Sequence, residues 1–599
     1  MCELGADGSR SGSPVKVLDL PRAIAEYEQA GGDGVRWVWS GTAQLYPVLL
    51  RAAVRVGRCH DVALAEALLG SRDAEAESRV AGDRGPGNGA ARDGASSGAR
   101  DAAVSGSAGR VGSAGRIGSA GRIGSAGRIG SAGRGQGALF EPGERASPDP
   151  EAQLDAVIAA HAGQLRAIAA DEYPARFGAL VAAESAGGLA AAEMAYAGLP
   201  WRADVHDELL TGLLGHRPPA VPPGTRPARL AELAAQVSAA FGGRPVNPDS
   251  PAQLVKAFAA DGVRAASTRY SVLREIDHPA VPPLIEYKEL ARLYTAHGWA
   301  WLDSWVSGGR FKPEYVVGGV VSGRWASRGG GALQIPRVLR RAVVADPGWA
   351  LVVADAAQLE PRVLAALAGD GAFAAAAASG DLYEALASVF GGDRGKAKIA
   401  LLSAMYGGAG GEAGQLLAVL RRRFPQAAGY LEKAARAGEE GRVVRSVLGR
   451  SCPPPSAAWR SVTEESGDPD GERDPGAGRA SRARGRFTRN FVVQASAADW
   501  ALVLLAGLRS RLSVIARING GPSLAPSSPE QPDGAGDQGP QLVFFQHDEV
   551  IVHCPAALGE PVVAAVGEAA AAAGRMVFGE TGVRFPMTTA VVSCYADAK

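Results

Sequence analysis

The sequence predicts an α+β protein of several domains. Three observations carry that reading: a short α/β unit within residues 14–70, helical periodicity from 151 to about 300, and two strongly apolar strand-like segments far apart in the second half, WALVVAD (349–355) and LVFFQHDEVIVH (542–553). At 599 residues and 46% hydrophobic content, the chain is long enough for roughly three or four domains with sizeable cores.

The first unit, residues 1–70, holds a strand-like VRWVWS and a short amphipathic helix, HDVALAEALLG, for which Asp61 is a good N-cap. Residues 71–150 are Gly, Ser, Ala and Arg, with five copies of SAGR at a six-residue period (107–134). So few large apolar groups cannot offset the entropy of ordering, so this segment reads as a disordered linker. Residues 151–184 return to helix as the rest of the first unit, and helical patterns such as LARLYTAHGWAWLDSWV continue to about 310. Two Gly/Pro/Asp-rich breaks, 463–485 and 519–540, read as surface insertions.

Composition sets outer bounds. The net charge of +1 gives no global attraction to polyanions, and 55 of the 63 basic residues are arginine, a bias that a GC-rich genome explains as well as function does. Five scattered cysteines without a CxxC pair indicate neither a disulfide framework nor a zinc site. No stretch reaches the roughly 18 to 20 unbroken apolar residues of a membrane span, and the start lacks the apolar core of a signal peptide. A cytoplasmic, nucleoid-associated chain without membrane contact is expected.

Three segments carry chemistry. Asp355 ends an apolar strand, where a carboxylate is held rigidly at the mouth of a cleft, and a helix with Glu360 and Arg362 follows. Taken alone, Asp355 is more readily a helix N-cap than a ligand. The triplet His547, Asp548, Glu549 lies at the tip of a second apolar hairpin, and taken alone it is a polar turn. Together the two strand-borne aspartates suit a pair of divalent ions, which need carboxylates from separate elements. The third segment is a helix capped by Asp393, along which Arg394, Lys398, Leu402 and Tyr406 fall at four-residue steps. That stripe is cationic at one end and apolar at the other, the polarity of a nucleoside triphosphate.

These segments resemble the family A DNA polymerases, the bacterial DNA polymerase I group, and within it the actinobacterial proteins called bifunctional 3′-5′ exonuclease/DNA polymerase. The family's first motif appears as DAAQLEPR from Asp355, its second, R-x3-K-x3-aromatic-x3-Y-G, as Arg394 to Gly407, and its third, H-D-E, as His547 to Glu549. SGRWAS (322–327) with LQIP (333–336), and RFTRNFVVQASAADW (486–500), match further segments, so that the resemblance covers roughly 185–599. It implies a right-hand polymerase of palm, fingers and thumb, preceded by a degenerate RNase H-like α/β exonuclease domain. The implied divisions are a thumb at 185–310, palm at 311–370 and 486–599, and fingers at 371–485.

The resemblance also implies roles. Asp355 and Asp548 would hold two Mg²⁺ ions, with Glu549 and Lys398 completing the catalytic set. Arg394, Lys398, Leu402, Tyr406, Gln358 and Glu360 would bind the nucleotide, Glu360 by crowding a ribose 2′-hydroxyl. Arg324, Gln334, Arg486, Asn490, Gln494 and His547 would contact primer-template DNA. The implied activity is template-directed extension of a primer by deoxynucleoside triphosphates, in replication or repair, by a monomer. The alternatives are a weak or inactive DNA-binding scaffold, or a polymerase that keeps 3′-5′ exonuclease activity.

Departures from the family pattern set further expectations. Ala356, Ala357, Pro361 and Leu402 replace the usual aromatic, serine, hydrophobic and aromatic residues, and Tyr383 stands where a histidine is usual. Losing the stacking ring at Leu402 implies weaker nucleotide affinity or altered sugar discrimination. No Asp-x-Glu pair precedes Gly70, and Glu26 and Glu28 sit in a helical context. Loss of proofreading is therefore expected, and a separate 5′ nuclease region is not.

Overall fold

A computed structural model describes residues 1–31, 34–83, 149–218, 226–331, 335–378, 381–407, 412–464, 475–519 and 539–598. The SAGR repeats, Gln334, nearly all of the 519–540 insertion and residues 465–474 lie outside the described residues.

The C-terminal half is organised by one four-stranded antiparallel sheet. Its order is Met587–Val592, Trp349–Ala356, Glu549–Pro555, Gln541–Gln546. The two apolar segments of the sequence are thus neighbouring strands, with Glu549 opposite Asp355 and Ile551 opposite Val353. Alternation is absent from their sequences because both faces are buried. Val352, Ala354, Val550 and Val552 enter the main core, which also takes up Trp500 and Phe585. Leu351, Val353, Val543 and Ile551 pack in a second cluster with Trp301, Leu339 and Tyr595.

The main core is spanned by the 44-residue helix Pro475–Ile518, about 66 Å long at 1.5 Å per residue. It packs against Pro174–Ala197, Pro425–Glu439 and Gly559–Phe578. Two helices, Gly476–Ile518 and Ala556–Phe578, are long and apolar enough on average to cross a membrane, although charged residues interrupt both. Most of the first one's apolar window, 83%, is buried in the core.

Several boundaries move. The divisions at 184/185 and 485/486 both fall inside single continuous helices, Pro174–Ala197 and Pro475–Ile518. The 463–485 insertion is helical from Pro475 onward. The helix expected to stop at Gly70 runs from Val62 to Asp83, so the linker cannot begin at 71. Arg72 anchors the first turn past Gly70: it pairs with Asp171, lies 3.7 Å over the Phe177 ring and donates to the Gly449 carbonyl at 2.8 Å.

In the N-terminal unit, Trp37–Trp39 and Cys59–Asp61 form a two-stranded parallel sheet. Asp61 accepts from the backbone N–H of Leu64 at 2.9 Å, the cap its sequence position predicts, and also from that of Thr42 at 2.7 Å. Glu26 and Glu28 lie in the helix Leu20–Gly31, as read from sequence. All five cysteines are free thiols.

A buried ionic clasp joins this unit to the C-terminal half. Arg509, on the long helix, donates to Glu193 at 2.7 to 3.0 Å and to the Gly57 carbonyl at 2.9 Å, while Tyr46 donates its hydroxyl to Glu193 at 2.5 Å. Burial acts to raise the Glu193 carboxyl, and the charges of Arg509 and Arg55 with the hydrogen bonds from Arg509 and Tyr46 together outweigh it, leaving the group below its ordinary range. Removing one partner from such a clasp strands a charge in the core. Arg509→Met is therefore expected to cost about 3–5 kcal/mol in urea unfolding followed by tryptophan fluorescence, with part of the loss recovered in Arg509→Met/Glu193→Gln.

Candidate active site

The hairpin tip and the end of the central strand bring the two aspartates together. His547 and Asp548 are the two turn residues between Gln541–Gln546 and Glu549–Pro555. His547 adopts the left-handed conformation, φ +58°, which the first position of a two-residue hairpin turn of type I′ or II′ requires. The Asp548 carbonyl accepts from the Ala356 N–H at 3.0 Å, which fixes the turn against the residue that follows Asp355. Gln358, just beyond, is also left-handed at φ +56°. Among the described residues only three non-glycine positions have positive φ, and two of them flank this site, where such backbone cost is commonly concentrated.

Electrostatics mark the pair. Burial first, and the negative charge of Asp355 second, push the Asp548 carboxyl up to about 7. Arg324 opposes that rise only in part. The repulsion is relieved either by a proton or by a cation.

Around the pair, Glu360 is held from two sides. It accepts from the Tyr406 hydroxyl at 2.7 Å and pairs with Arg324. Tyr406 is also hydrogen-bonded with Gln494, and burial followed by the Glu360 charge pushes its phenol well up. Thus four residues predicted from four separate segments form one connected group. The helix Arg394–Tyr406 has the predicted cap, Asp393 accepting from Lys396 N–H at 3.0 Å, and the predicted stop, Gly407 at φ +76°. At Gly407 a Cβ would come within 2.9 Å of Arg486, so the glycine also lets the two helices approach. Ala397, Ala400, Leu401 and Met405 face the core, while Arg394 and Lys398 are exposed and Leu402 is half-buried.

Other predicted residues are placed differently. Gln358 is engaged within the protein, donating to Asp381 and accepting from the Leu382 N–H, both at 2.7 Å. Arg394 is bound to Asp381 at 2.9 Å. Glu549 is buried and accepts from the Tyr595 hydroxyl, so its carboxylate is tied to the C-terminal segment. Arg486 is exposed and Asn490 half-buried on the long helix, and His547 lines a cleft with Gly323, Arg324, Trp325 and Phe545. Sequence reasoning missed Asp381, Tyr595 and Tyr315, whose hydroxyl accepts from the Phe545 N–H at 3.1 Å and braces the hairpin. Asp381 alone left a local signal, that of an N-cap before LYEALA.

The family model for DNA polymerase family A matches residues 225–578, more than half of the chain. The chain belongs to that family. Similar curated relatives are DNA polymerase I of Chloroflexus aurantiacus, 30% identical over 281 residues, and the thermostable DNA polymerase I of Thermus thermophilus, 27% identical over 331. These alignments cover 40% and 50% of this chain and 28% and 34% of the relatives, so the chain spans about a third of their length. A similar solved structure is the POL domain of Pol1 from M. smegmatis in complex with DNA primer-template and dNTP. Its TM-score is 0.56 at 20% identity, with 75% of each chain covered, so the fold is shared.

Family A polymerases use divalent metal ions. Among the described residues of this family A chain no group of three or more His, Cys, Asp or Glu is placed to hold a metal. Asp355 and Asp548 nevertheless fit such an ion, because Mg²⁺ is typically held by one or two carboxylates with water and phosphate oxygens filling its other positions. Their mutual repulsion, seen in the raised Asp548, is what a cation removes.

A stability test follows. The folded protein keeps the Asp548 proton up to about pH 7, whereas the unfolded chain releases it near the ordinary 3.8. The folded state thus binds more protons in this window, and metal-free stability falls as pH rises from about 4 to 7. Asp548→Asn is expected to flatten that fall in melting curves recorded with a chelator, and to be more stable than wild type at pH 8.

Proposed function

We propose that this chain is a template-directed DNA polymerase that extends a primer 3′-hydroxyl with deoxynucleoside triphosphates, using two Mg²⁺ ions. One observation carries the reading: two carboxylates from separate elements, Asp355 near the end of a central strand and Asp548 at the hairpin tip, come together, and burial with the charge of Asp355 raises the Asp548 carboxyl. Family membership supports it independently.

In this reading the sheet is the palm, the helices between Gly371 and Glu464 are the fingers, and those between Ala203 and Trp305 the thumb. Asp355 and Asp548 hold the ions, whose chemistry is to activate the hydroxyl and to neutralise charge on the leaving pyrophosphate. Arg394 and Lys398 grip the phosphates, Leu402 lies along the nucleotide, and Tyr406 positions Glu360 to crowd a ribose 2′-hydroxyl. Arg324, which neutralises Glu360 from the other side, faces the primer-template together with Arg486, Asn490, Gln494 and His547. Glu549 serves as a fixed support, since its carboxylate is taken by Tyr595. The chain acts as a monomer in the cytoplasm, in replication or repair synthesis.

The N-terminal unit, in the same reading, is a brace without proofreading activity. Asp61 is engaged in capping, and Glu28 accepts from Trp37 at 2.7 Å and from the Gly57 N–H at 3.2 Å.

Primer extension with Mg²⁺ and four deoxynucleotides tests the whole reading. Wild type is expected to extend, and Asp548→Ala to lose at least about 10³-fold, several kcal/mol of transition-state stabilisation. Without nucleotides, an end-labelled mismatched primer should stay intact. Absence of wild-type extension would refute the polymerase, and metal-dependent trimming would refute the inactive brace.

A further inference from the structure

Arg394 opens the cationic stripe, yet its guanidinium is already engaged. Its Nε and Nη2 both donate to Oδ2 of Asp381, at 3.0 and 2.9 Å, and its charge lies 5.5 Å over the Tyr383 ring. Asp381 divides its two oxygens between two tasks. Oδ1 accepts from Gln358 Nε2 at 2.7 Å and from the Glu384 N–H at 3.0 Å, so it caps the helix Leu382–Ala387 and holds the turn between Asp355 and Glu360. Oδ2 receives the two bonds from Arg394.

Two guanidinium donors on one anionic oxygen is also how arginine takes a phosphate oxygen. The pair is half-exposed, with side chains 49% and 40% accessible, and such pairs are individually weak. A polyphosphate carries several such oxygens and more charge than one carboxylate, so it can displace Asp381 at small cost.

We propose that Asp381 is an internal stand-in for a nucleotide phosphate: it parks Arg394 while the site lacks nucleotide, and it lowers triphosphate affinity by competing for the same guanidinium. The inference rests on the reading of Arg394 as a phosphate grip. It identifies a specificity-setting residue outside the three motifs. Release of Oδ2 leaves Oδ1 on Gln358 and the turn intact, so Arg394 can leave Asp381 without disturbing the strand that bears Asp355.

Asp381→Asn separates the two tasks. Asparagine keeps a capping oxygen for the Oδ1 bonds, at which it is as good as aspartate, and sets an amide that cannot accept from Arg394 at Oδ2. Inorganic tripolyphosphate is titrated calorimetrically into the full chain at low ionic strength without DNA. Asp381→Asn is expected to bind it about two- to fivefold more tightly than wild type, the range that loss of a half-exposed pair allows, with an unchanged melting temperature. The gain should vanish in an Arg394→Gln background.

No gain in a fully folded Asp381→Asn, or an equal gain in the Arg394→Gln background, would overturn the inference. The second result would mean a general charge effect. If asparagine lowers the melting temperature, Asp381→Ser, which keeps one capping oxygen, supplies the same comparison. Primer extension separates the two claims. A chain that extends primers with no Asp381 effect overturns this inference alone, and one that binds tripolyphosphate through Arg394 yet extends nothing overturns the polymerase reading alone.

Discussion

Everything at the active site depends on holding two like charges beside each other. Asp355 and Asp548 repel, and in the folded protein that repulsion and burial show as a carboxyl raised to about 7. Left in solution the two groups would separate. Here they cannot, because Asp355 lies on a strand and Asp548 in the turn between two strands whose apolar residues are buried on both faces, and the Ala356 N–H to Asp548 carbonyl bond fixes that turn. The sheet thus converts hydrophobic burial into a standing demand for positive charge.

The helices serve that arrangement. The 44-residue helix lies along the main core and brings Gln494 to Tyr406, which holds Glu360, which holds Arg324. This chain of contacts joins residues more than 150 positions apart into one wall. The same helix carries Arg509 into the clasp with Glu193 and Tyr46, so the N-terminal unit is braced against the helix that forms the wall. This unit, among whose described residues no metal-holding group is placed, can still matter by stiffening that helix.

Much of the site was legible in the sequence, since its residues lie in short motifs with fixed spacing. Asp355, Arg394 to Tyr406 and the His547–Glu549 triplet were each ambiguous alone, and their combination pointed to one chemistry. The caps at Asp61 and Asp393 and the stop at Gly407 followed from local backbone chemistry. What stayed hidden depends on partners distant in sequence. Nothing near Tyr595 announces its bond to Glu549, and nothing in SRD predicts that Arg72 will reach Gly449 and anchor its helix. The boundaries at 185 and 486 failed because composition changes there while hydrogen-bonded helix does not. Gln358 and Arg394 fell in the predicted place with an unpredicted partner, Asp381.

The central claim is that Asp548 holds a proton that a divalent cation must displace. Calorimetric titration of Mg²⁺ into the protein, in two buffers of different ionisation enthalpy, measures that proton directly. At pH 6.5, more than about half a proton should be released per protein molecule at saturation, falling towards zero at pH 8.5, because Asp548 titrates at about 7. Asp548→Asn should release none at either pH. Proton release that is independent of pH, or unchanged in Asp548→Asn, would contradict the account.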